Sequence, residues 1–502
     1  MTIYNLNFGI GWASSGVEYA QLYRRNIFEK LELDFKFVFF DFISRENIQS
    51  YTSNMGFKDN EIIWLYQYFT DIKIAPTTYT LDDIIENLDY EDIRIEVVNE
   101  DVKRIFFNND DNYITCYLRY PNSSVVNRAE FVSMNKLIRK DYYSYVRIFS
   151  EYYAPKDGQA KAYQRVFYNE NGTVAYEEYI NEDNNMYVFK DKILYSKEEL
   201  IGYFLKKLNL SKKDILLIDR STNVGQVYLE NKGEAKIGSI IHAEHYNENT
   251  TNEKHILWNN HYEYLFNNAK NIDFFITATD KQNEKLAKQF EKYYQYPSKI
   301  YTIPVGNLSE LKKSNERRKA SIITASRLAS EKHVDWLVKA VIKAHQYNTD
   351  ITFDIYGEGG EKETLQKIIN DENAEGYITL KGHQNLENIY RKYQLFISGS
   401  TSEGFGLTLM EAIGSGLGMI GFEVDYGNPT FIKNGENGYR ISINTEEATE
   451  QEIVNVLANA VVKFFKSNIE KMSIESYKIA ENFLFENIAE KWHSLIKEVQ
   501  YD

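Results

Sequence analysis

The sequence Ser400-Thr-Ser-Glu403-Gly404-Phe405-Gly406-Leu407-Thr408-Leu-Met-Glu411 follows an apolar run at 395–398 that predicts a buried strand. From Leu407 onward the stretch predicts a helix, so its glycines form the loop between strand and helix. Glycine lets the backbone of such a loop approach a ligand and turn its N–H groups toward it. The N-terminus of the helix favours an anion. With Glu403 in the loop and Glu411 in the helix, the stretch predicts a binding site rather than an ordinary acidic helix start.

Strands alternate with helices on both sides of this stretch, a pattern typical of α/β proteins with parallel sheets. The strands predicted in the C-terminal half are 321–325, 351–356, 377–380, 395–398 and 419–422. Those predicted in the N-terminal half are 2–8, 35–42, 214–219, 236–242 and 273–278. We therefore expect two Rossmann-like, doubly wound domains facing a cleft, with ligands outside the carboxyl ends of the strands.

The sequence pattern changes between residues 76 and 195. Short runs of alternating apolar and polar residues, such as 103–107 and 164–168, are separated there by polar turns. The pair Asn171-Gly172 predicts a hairpin. These runs predict an antiparallel β-rich domain inserted into the first α/β domain. Its tyrosines either fill a core or form a surface for a partner; they are Tyr142, Tyr143, Tyr145, Tyr152, Tyr153, Tyr163, Tyr168, Tyr176 and Tyr179.

The predicted organisation has a split first domain and a long C-terminal one. Its segments are 1–75 and 196–305 for the first Rossmann-like domain, 76–195 for the insert, 306–485 for the C-terminal nucleotide-sugar-binding domain, and 486–502 for a helix returning towards the first domain. The amphipathic pattern at 474–499 predicts a helical tail.

The composition excludes several classes of protein. A net charge of −15 argues against non-specific nucleic-acid binding, and the lone Cys116 indicates a reducing compartment without structural disulfides. The N-terminus has no basic region before an apolar stretch, so no signal peptide is predicted, and no apolar run is long enough to span a membrane.

Other strand-end loops carry candidate ligand groups. Arg327 and Lys332 follow the strand at 321–325 and would jointly neutralise a diphosphate. The loop 381–385 would bracket a flat base, and 356–360 is a further glycine loop.

Several motifs point away from other chemistries. His242-Ala-Glu-His245 lacks the spacing of a zinc protease, so a satisfied buried histidine is the better interpretation. The loop 9–16 does not spell a dinucleotide fingerprint. The sequence also has no Asp-x-Asp triplet suited to metal chelation of a nucleotide diphosphate, and no Walker A motif.

Taken together, the second half resembles the retaining nucleotide-sugar glycosyltransferases of family 4, which have the GT-B fold. The matching residues are Ser326-Arg327 with Lys332, Tyr356-Gly-Glu-Gly359, Lys381-Gly-His383 and Glu403-Gly-Phe-Gly-Leu-Thr-Leu-Met-Glu411. The resemblance implies that Arg327 and Lys332 hold the donor diphosphate, that Glu403 contacts the donor sugar, and that Glu411 holds the ribose. It further implies catalysis without a metal or other cofactor.

A closer resemblance spans nearly the whole chain. The segments 9–20, His242-Ala-Glu-His-Tyr246, 335–341 and Asp425-Tyr-Gly-Asn428 are similar to the catalytic A subunits of accessory-Sec O-glycosyltransferase complexes of Gram-positive cocci. This implies transfer of GlcNAc from UDP-GlcNAc to Ser/Thr of serine-rich-repeat adhesins, together with a homologous acceptor-binding B subunit. It also implies a cytoplasmic location, which allows peripheral association with the inner face of the cell membrane.

The closer resemblance assigns further donor contacts. Gly16, Val17, Glu18 and Tyr19 would contact UDP, and His242 the sugar. His383 and Gln384 would contact the base, and the Gly404–Thr408 amides would position the sugar.

One position departs from the family pattern. Gly418 stands where many family 4 members have proline. We expect this glycine to loosen the turn before the strand at 419–422.

Three alternatives remain open from the sequence. A poly(ribitol phosphate) GlcNAc transferase of wall teichoic acid synthesis shares the fold, the insert and the glutamate pair, although an anionic acceptor polymer should favour a basic groove. A non-catalytic acceptor-binding subunit would not need both glutamates and both cations. A UDP-sugar epimerase would interconvert the donor with no acceptor present.

Overall fold

The structure is a computed structural model that describes residues 1–12, 16–88, 93–107 and 109–501. Residues 13–15 of the predicted loop 9–16 and residue 502 of the predicted C-terminal helix lie outside the described residues. The chain forms two compact units, each from two segments: Met1–Glu18 with Leu33–Gly238, and Tyr19–Glu32 with Ser239–Asp502. The chain passes between the units three times: within helix Gly16–Lys30, between Glu32 and Leu33, and within strand Lys236–Ile241.

The first unit contains a parallel sheet of apolar strands. Their order across the sheet is Ile215–Ile218, Ile3–Asn7, Phe35–Phe39 and Ile62–Trp64. The helices of this unit are Ile48–Asn54, Leu65–Tyr68, Leu81–Glu86, Lys197–Lys207 and Gly225–Asn231, with a 3₁₀ turn at Asp59–Glu61. Alternation of strand and helix confirms the α/β prediction for the start of the chain.

A ten-stranded antiparallel sheet is inserted between these strands in the chain. Each strand pairs with the next one in sequence. The strands are Ile93–Asn99, Val102–Phe107, Asn109–Leu118, Val126–Ser133, Lys136–Tyr143, Arg147–Lys156, Gln159–Tyr168, Val174–Tyr179, Met186–Val188 and Ile193–Leu194. The predicted hairpin at Asn171-Gly172 is confirmed: Gly172 has a φ of +81°, and the N–H of Asn169 donates to the carbonyl of Thr173 at 2.8 Å.

Aromatic rings fill much of the core beneath this sheet. Phe167 and Tyr176 stack with centroids 4.4 Å apart, and Tyr142 and Phe149 stack at 4.3 Å. Tyr142, Tyr143, Tyr168 and Tyr176 are buried, whereas Tyr163 is exposed. For these buried tyrosines the core interpretation is therefore correct.

The second unit contains a six-stranded parallel sheet and two shorter strand pairs. The order across the larger sheet is Ile378–Gly382, Thr352–Tyr356, Ser321–Ala325, Leu395–Ile397, Gly418–Phe422 and Gly438–Ile441. The other strands are Phe274–Thr277 beside Ile300–Thr302, and the hairpin Tyr246–Asn247 with Leu257–Trp258. The helices are Glu263–Asn267, Asp280–Tyr294, Val334–His345, Lys362–Asp371, Leu407–Gly414, Gly427–Phe431, Glu450–Phe465, Ile469–Glu481 and Phe485–Tyr501, with 3₁₀ turns at Ala269–Asn271, Ser330–Lys332 and Tyr390–Lys392.

The tail predicted to be helical at 474–499 consists of two helices, Ile469–Glu481 and Phe485–Tyr501, separated by a short break. The backbone leaves the helical path there to pair with Leu308. The Leu308 N–H donates to the carbonyl of Phe483 at 2.8 Å, and its carbonyl accepts from the N–H of Phe485 at 2.9 Å. The last helix then packs Trp492 against Phe28, with centroids 5.1 Å apart.

Close packing against Phe464 explains the glycine at position 418, rather than the loosened turn that we expected from the sequence. It is the first residue of a buried strand, and a Cβ built on it would lie 2.0 Å from the Phe464 ring. The aromatic ring thus occupies the space that a side chain would need.

We expect Gly418→Ala to lower the free energy of unfolding by ~1–3 kcal/mol, because a methyl group overpacks the site. Thermal unfolding measures the loss, and Gly376→Ala is the control, since its Cβ would meet nothing within 4 Å. Combining Gly418→Ala with Phe464→Leu should restore part of the stability. A fully stable single variant would contradict the packing argument.

Candidate functional site

Loops at the carboxyl edge of the six-stranded sheet are joined by backbone hydrogen bonds. The N–H of Ser326 donates to the carbonyl of Tyr356 at 3.1 Å, and that of Gly357 to Gly382 at 2.9 Å. Parallel strands end at the same edge, so loops far apart in sequence become neighbours. The predicted glycine loop 356–360 therefore lies between the loop of Arg327 and the loop that leads to His383.

Lys332 and Glu403 form an ion pair at this edge of the sheet. The Lys332 Nζ lies 2.9 Å from the Glu403 Oε2, and their side chains are only 21% and 20% exposed. Gly399 permits the approach, because a Cβ there would lie 2.8 Å from the carbonyl oxygen of Lys332. The structure thus unites one predicted cation with the first glutamate of the pair.

Arg327 is placed differently from Lys332. Its side chain is 77% exposed and pairs with Glu331 at 3.0 Å, one helical turn away. Such a surface pair is worth little energy, so Arg327 is free to exchange Glu331 for another anion. In this structure Arg327 and Lys332 do not share a partner, and their joint role at a diphosphate stays a prediction.

The glycine loop is fixed tightly around Glu403. The Glu403 carbonyl accepts from the N–H of Tyr426 at 2.7 Å and from that of Gly427 at 2.8 Å. A Cβ on Gly404 would lie 2.8 Å from the carbonyl oxygen of His242, so only glycine fits. Gly406 has a φ of +88°, a conformation that favours glycine.

The rest of the predicted loop divides between core and helix start. Phe405 is buried, and its ring packs 5.0 Å from that of Phe431, so its side chain anchors the loop. Leu407 and Thr408 form the first turn of helix Leu407–Gly414. The segment thus combines a side chain that anchors the loop with a helix N-terminus, whose N–H groups favour an anion.

Glu411 lies in the same helix, one turn from its start. Desolvation raises the pKa of its carboxyl from 4.5 to about 7, and the neighbouring Tyr390 hydroxyl offsets part of this rise. Burial, with the Glu411 charge second, also raises the pKa of Tyr23. The carboxyl is thus held in apolar surroundings where it can accept or donate a hydrogen bond near neutral pH.

The loop that carries His242 is anchored from two sides. The Tyr262 hydroxyl accepts from the N–H groups of His242 and Ala243, at 2.9 and 3.1 Å. His245 is fully buried, and burial lowers its pKa to about 4. Its Nε2 lies 2.6 Å from Gln289 Oε1, so His245 is the satisfied buried histidine that the sequence indicated.

The remaining predicted contacts lie on exposed or separate elements. Gly16, Val17 and Glu18 form the first turn of helix Gly16–Lys30, in the segment that belongs to the first unit. Tyr19 follows in the second unit and is 43% exposed. His383 and Gln384 are exposed in the loop after strand Ile378–Gly382, where the Gln384 side chain donates to the Lys381 carbonyl at 2.9 Å.

Sequence reasoning missed several residues that hold the site together. Tyr426 links two loops, Lys285 pairs with Asp425 at 3.0 Å, and Tyr262 anchors the His242 loop. In the sequence, Asp425 and Tyr426 contribute to the family resemblance but give no sign of a structural role. Lys285 gave no signal, since it lies in an ordinary amphipathic helix.

The described part of the chain offers neither a cluster of metal ligands nor a membrane-spanning helix. There, no group of three or more His, Cys, Asp or Glu side chains is arranged to hold a metal ion. Nor does any helix among those residues combine the length and apolar character needed to cross a membrane.

Comparison with known proteins places the chain. The model of the GtfA extended beta-sheet domain matches residues 95–191, and that of glycosyl transferases group 1 matches residues 309–473. The UDP-N-acetylglucosamine–peptide N-acetylglucosaminyltransferase GtfA subunit of Streptococcus pneumoniae is 53% identical over 505 residues, covering 100% of both chains. This chain belongs to the GtfA subunit family.

Solved structures of the family agree with this placement. The pneumococcal O-GlcNAc transferase GtfA in complex with UDP and GlcNAc has a TM-score of 0.93 and 52% identity, covering 100% of this chain and 99% of that one. A GtfA/B complex gives a TM-score of 0.96 and 48% identity, with all of both chains covered. The GT-B fold with its β-rich insert, predicted from the sequence, is thereby confirmed.

The raised pKa of Glu411 makes stability depend on pH. The folded state keeps this proton up to about pH 7, whereas the unfolded chain loses it near 4.5. Wild-type stability therefore falls as the pH rises through that window. We expect Glu411→Gln to raise the free energy of unfolding at pH 8 by up to ~3 kcal/mol, and the melting temperature with it. At pH 4.5 the substitution should have less effect.

Thermal unfolding of the free protein at both pH values checks this expectation. Glu375→Gln is the control, because Glu375 is exposed in a loop. A Glu411→Gln effect of equal size at both pH values would show that the carboxyl is not destabilised by burial.

Proposed function

We propose that this chain is the catalytic subunit of a retaining glycosyltransferase that transfers N-acetylglucosamine from UDP-N-acetylglucosamine to a peptide hydroxyl. The observation that carries the proposal is the Lys332–Glu403 pair beside a glycine loop and a helix N-terminus. Full-length similarity to the pneumococcal transferase supports the donor and the peptide acceptor.

The arrangement assigns a task to each group. Lys332, Arg327 and the N–H groups at the start of helix Leu407–Gly414 stabilise negative charge on the leaving diphosphate. Glu403 and the loop amides orient the sugar, with His242 on its other side.

The base end of the donor has its own contacts. Glu411 holds the ribose, and His383 and Gln384 hold the base. The nucleotide is thus bound by groups separate from those around the reacting carbon.

Bond making and breaking occur on one face of the sugar. The bond from the anomeric carbon to the diphosphate oxygen breaks, and a bond to the serine or threonine oxygen forms. The hydroxyl proton passes to the leaving diphosphate oxygen, so no protein base is needed. The protein contributes positioning and charge stabilisation.

We also propose the partners and the location of the enzyme. The acceptor is a serine-rich-repeat adhesin modified before export, and a homologous B subunit binds it. The GtfA/B complex of a 48% identical chain supports a partner of this kind. The lone cysteine favours the cytoplasm, with peripheral association at the inner face of the membrane.

We expect Glu403→Gln to lower transfer by about 100-fold or more, because the sugar loses its orienting carboxylate and Lys332 its partner. Mass spectrometry of a serine-rich peptide incubated with UDP-N-acetylglucosamine measures the gain of N-acetylhexosamine. Glu450→Gln removes a surface pair with Lys339 and is the matched control. Normal turnover in Glu403→Gln, or a gain only on a polyol-phosphate polymer, would contradict the proposal.

Transfer should also be independent of added metal. Lys332 and the helix N-terminus neutralise the diphosphate, a task that a divalent cation performs in other transferases. We expect EDTA to leave the transfer rate unchanged. A rate that falls with EDTA and returns with Mn²⁺ would refute this part of the proposal.

A further inference from the structure

We propose that Tyr426 is a positioning residue for the donor sugar, which holds the Glu403 loop and the His242–His245 loop in one arrangement. The proposal rests on the proposed function, because it concerns the sugar side of the same site. Tyr426 itself is completely buried and does not reach the donor directly.

The backbone of Tyr426 fixes the Glu403 loop. Its N–H donates to the Glu403 carbonyl at 2.7 Å, and the Glu403 N–H donates to the carbonyl of Asp425 at 3.3 Å. These bonds form a short parallel bridge between residues 403 and 426. The carboxylate predicted to orient the sugar therefore extends from a backbone that Tyr426 holds.

The side chain of Tyr426 reaches the other loop. Its hydroxyl donates to the Glu244 carboxylate and lies 3.1 Å from Nδ1 of His245. Its ring also stacks on that of His245, with centroids 5.6 Å apart. One residue thus binds the Glu403 loop by its backbone and the His242 loop by its side chain.

The two loops touch where a small movement has a large effect. Gly404 has no room for a Cβ beside the His242 carbonyl. A shift of the His242 loop would therefore displace Gly404 and, with it, the neighbouring Glu403. The Tyr426 hydroxyl resists such a shift because it ties the loop at residues 244 and 245.

Charged and polar neighbours fix Tyr426 in turn. Lys285 pairs with Asp425 at 3.0 Å and lies 5.7 Å from the centre of the Tyr426 ring. The Gln282 side chain donates to the Ala243 carbonyl at 2.8 Å. Both come from helix Asp280–Tyr294, so one rigid element supports both ends of the link.

The test compares Tyr426→Phe, which keeps the ring and removes the hydroxyl, with wild type. We expect the affinity for UDP to stay within about twofold, while the affinity for UDP-N-acetylglucosamine and kcat fall by about tenfold or more. Calorimetry gives both affinities, and peptide transfer gives kcat. Because the ligands differ only in the sugar, the ratio of their affinities reports sugar positioning.

Two sets of variants separate positioning from stability. Tyr477→Phe is the matched control, since it removes a hydroxyl that bonds Arg317 and two carbonyls elsewhere in the unit. It should lower the melting temperature without changing the affinity ratio. Glu244→Gln keeps an acceptor for the Tyr426 hydroxyl and should retain more sugar affinity than Glu244→Leu.

The outcomes distinguish this inference from the proposed function. An unchanged affinity ratio in Tyr426→Phe, or UDP affinity that falls in parallel, would overturn the positioning role. Absence of peptide transfer by the wild type would overturn the proposed function, while the affinity ratio would still decide the role of Tyr426.

Discussion

Hydrogen bonds between strand-end loops hold the charged groups of the site at fixed spacing. The six strands of the second unit are parallel, so their carboxyl ends share one edge. Backbone hydrogen bonds there join Ser326 to Tyr356, Gly357 to Gly382, and Glu403 to Tyr426. Lys332 and Glu403 arrive from different strands and meet at 2.9 Å only because of this order. Several positions at this edge are glycine because the neighbouring loops pack so closely that a side chain would not fit.

Charge in this site is arranged locally, against the overall charge of −15. The Lys332–Glu403 pair keeps two poorly exposed charges compensated when no anion is present. In the proposed function, the donor diphosphate would be a second anion for Lys332 beside Glu403. Glu411 differs, because burial raises its pKa toward neutrality and the Tyr390 hydroxyl offsets only part of that rise. The two glutamates therefore differ in environment although they lie on one loop and helix.

Much of this arrangement could be read from the sequence, and the limits have physical reasons. The period of apolar residues gave the parallel strands, and Asn171-Gly172 gave a hairpin, because both signals are local. The strand-end rule placed Glu403, Lys332 and His242 at the right edges. The sequence did not locate the break within the helical tail, because Leu308, far away in sequence, pairs there with the backbone of Phe483. Tyr426 and Lys285 could not be assigned, since their partners are contacts between distant segments that no local spacing reveals.

The division of the chain between the two units bears on how the protein forms during synthesis. The inserted sheet pairs each strand with its immediate successor, so its contacts are local and are available as soon as the segment is made. The second unit instead combines Tyr19–Glu32 with the final half of the chain. Phe28 meets Trp492 only after almost every residue has been translated. The second unit can therefore complete its core only at the end of translation, whereas the strand pairs of the inserted sheet can form earlier.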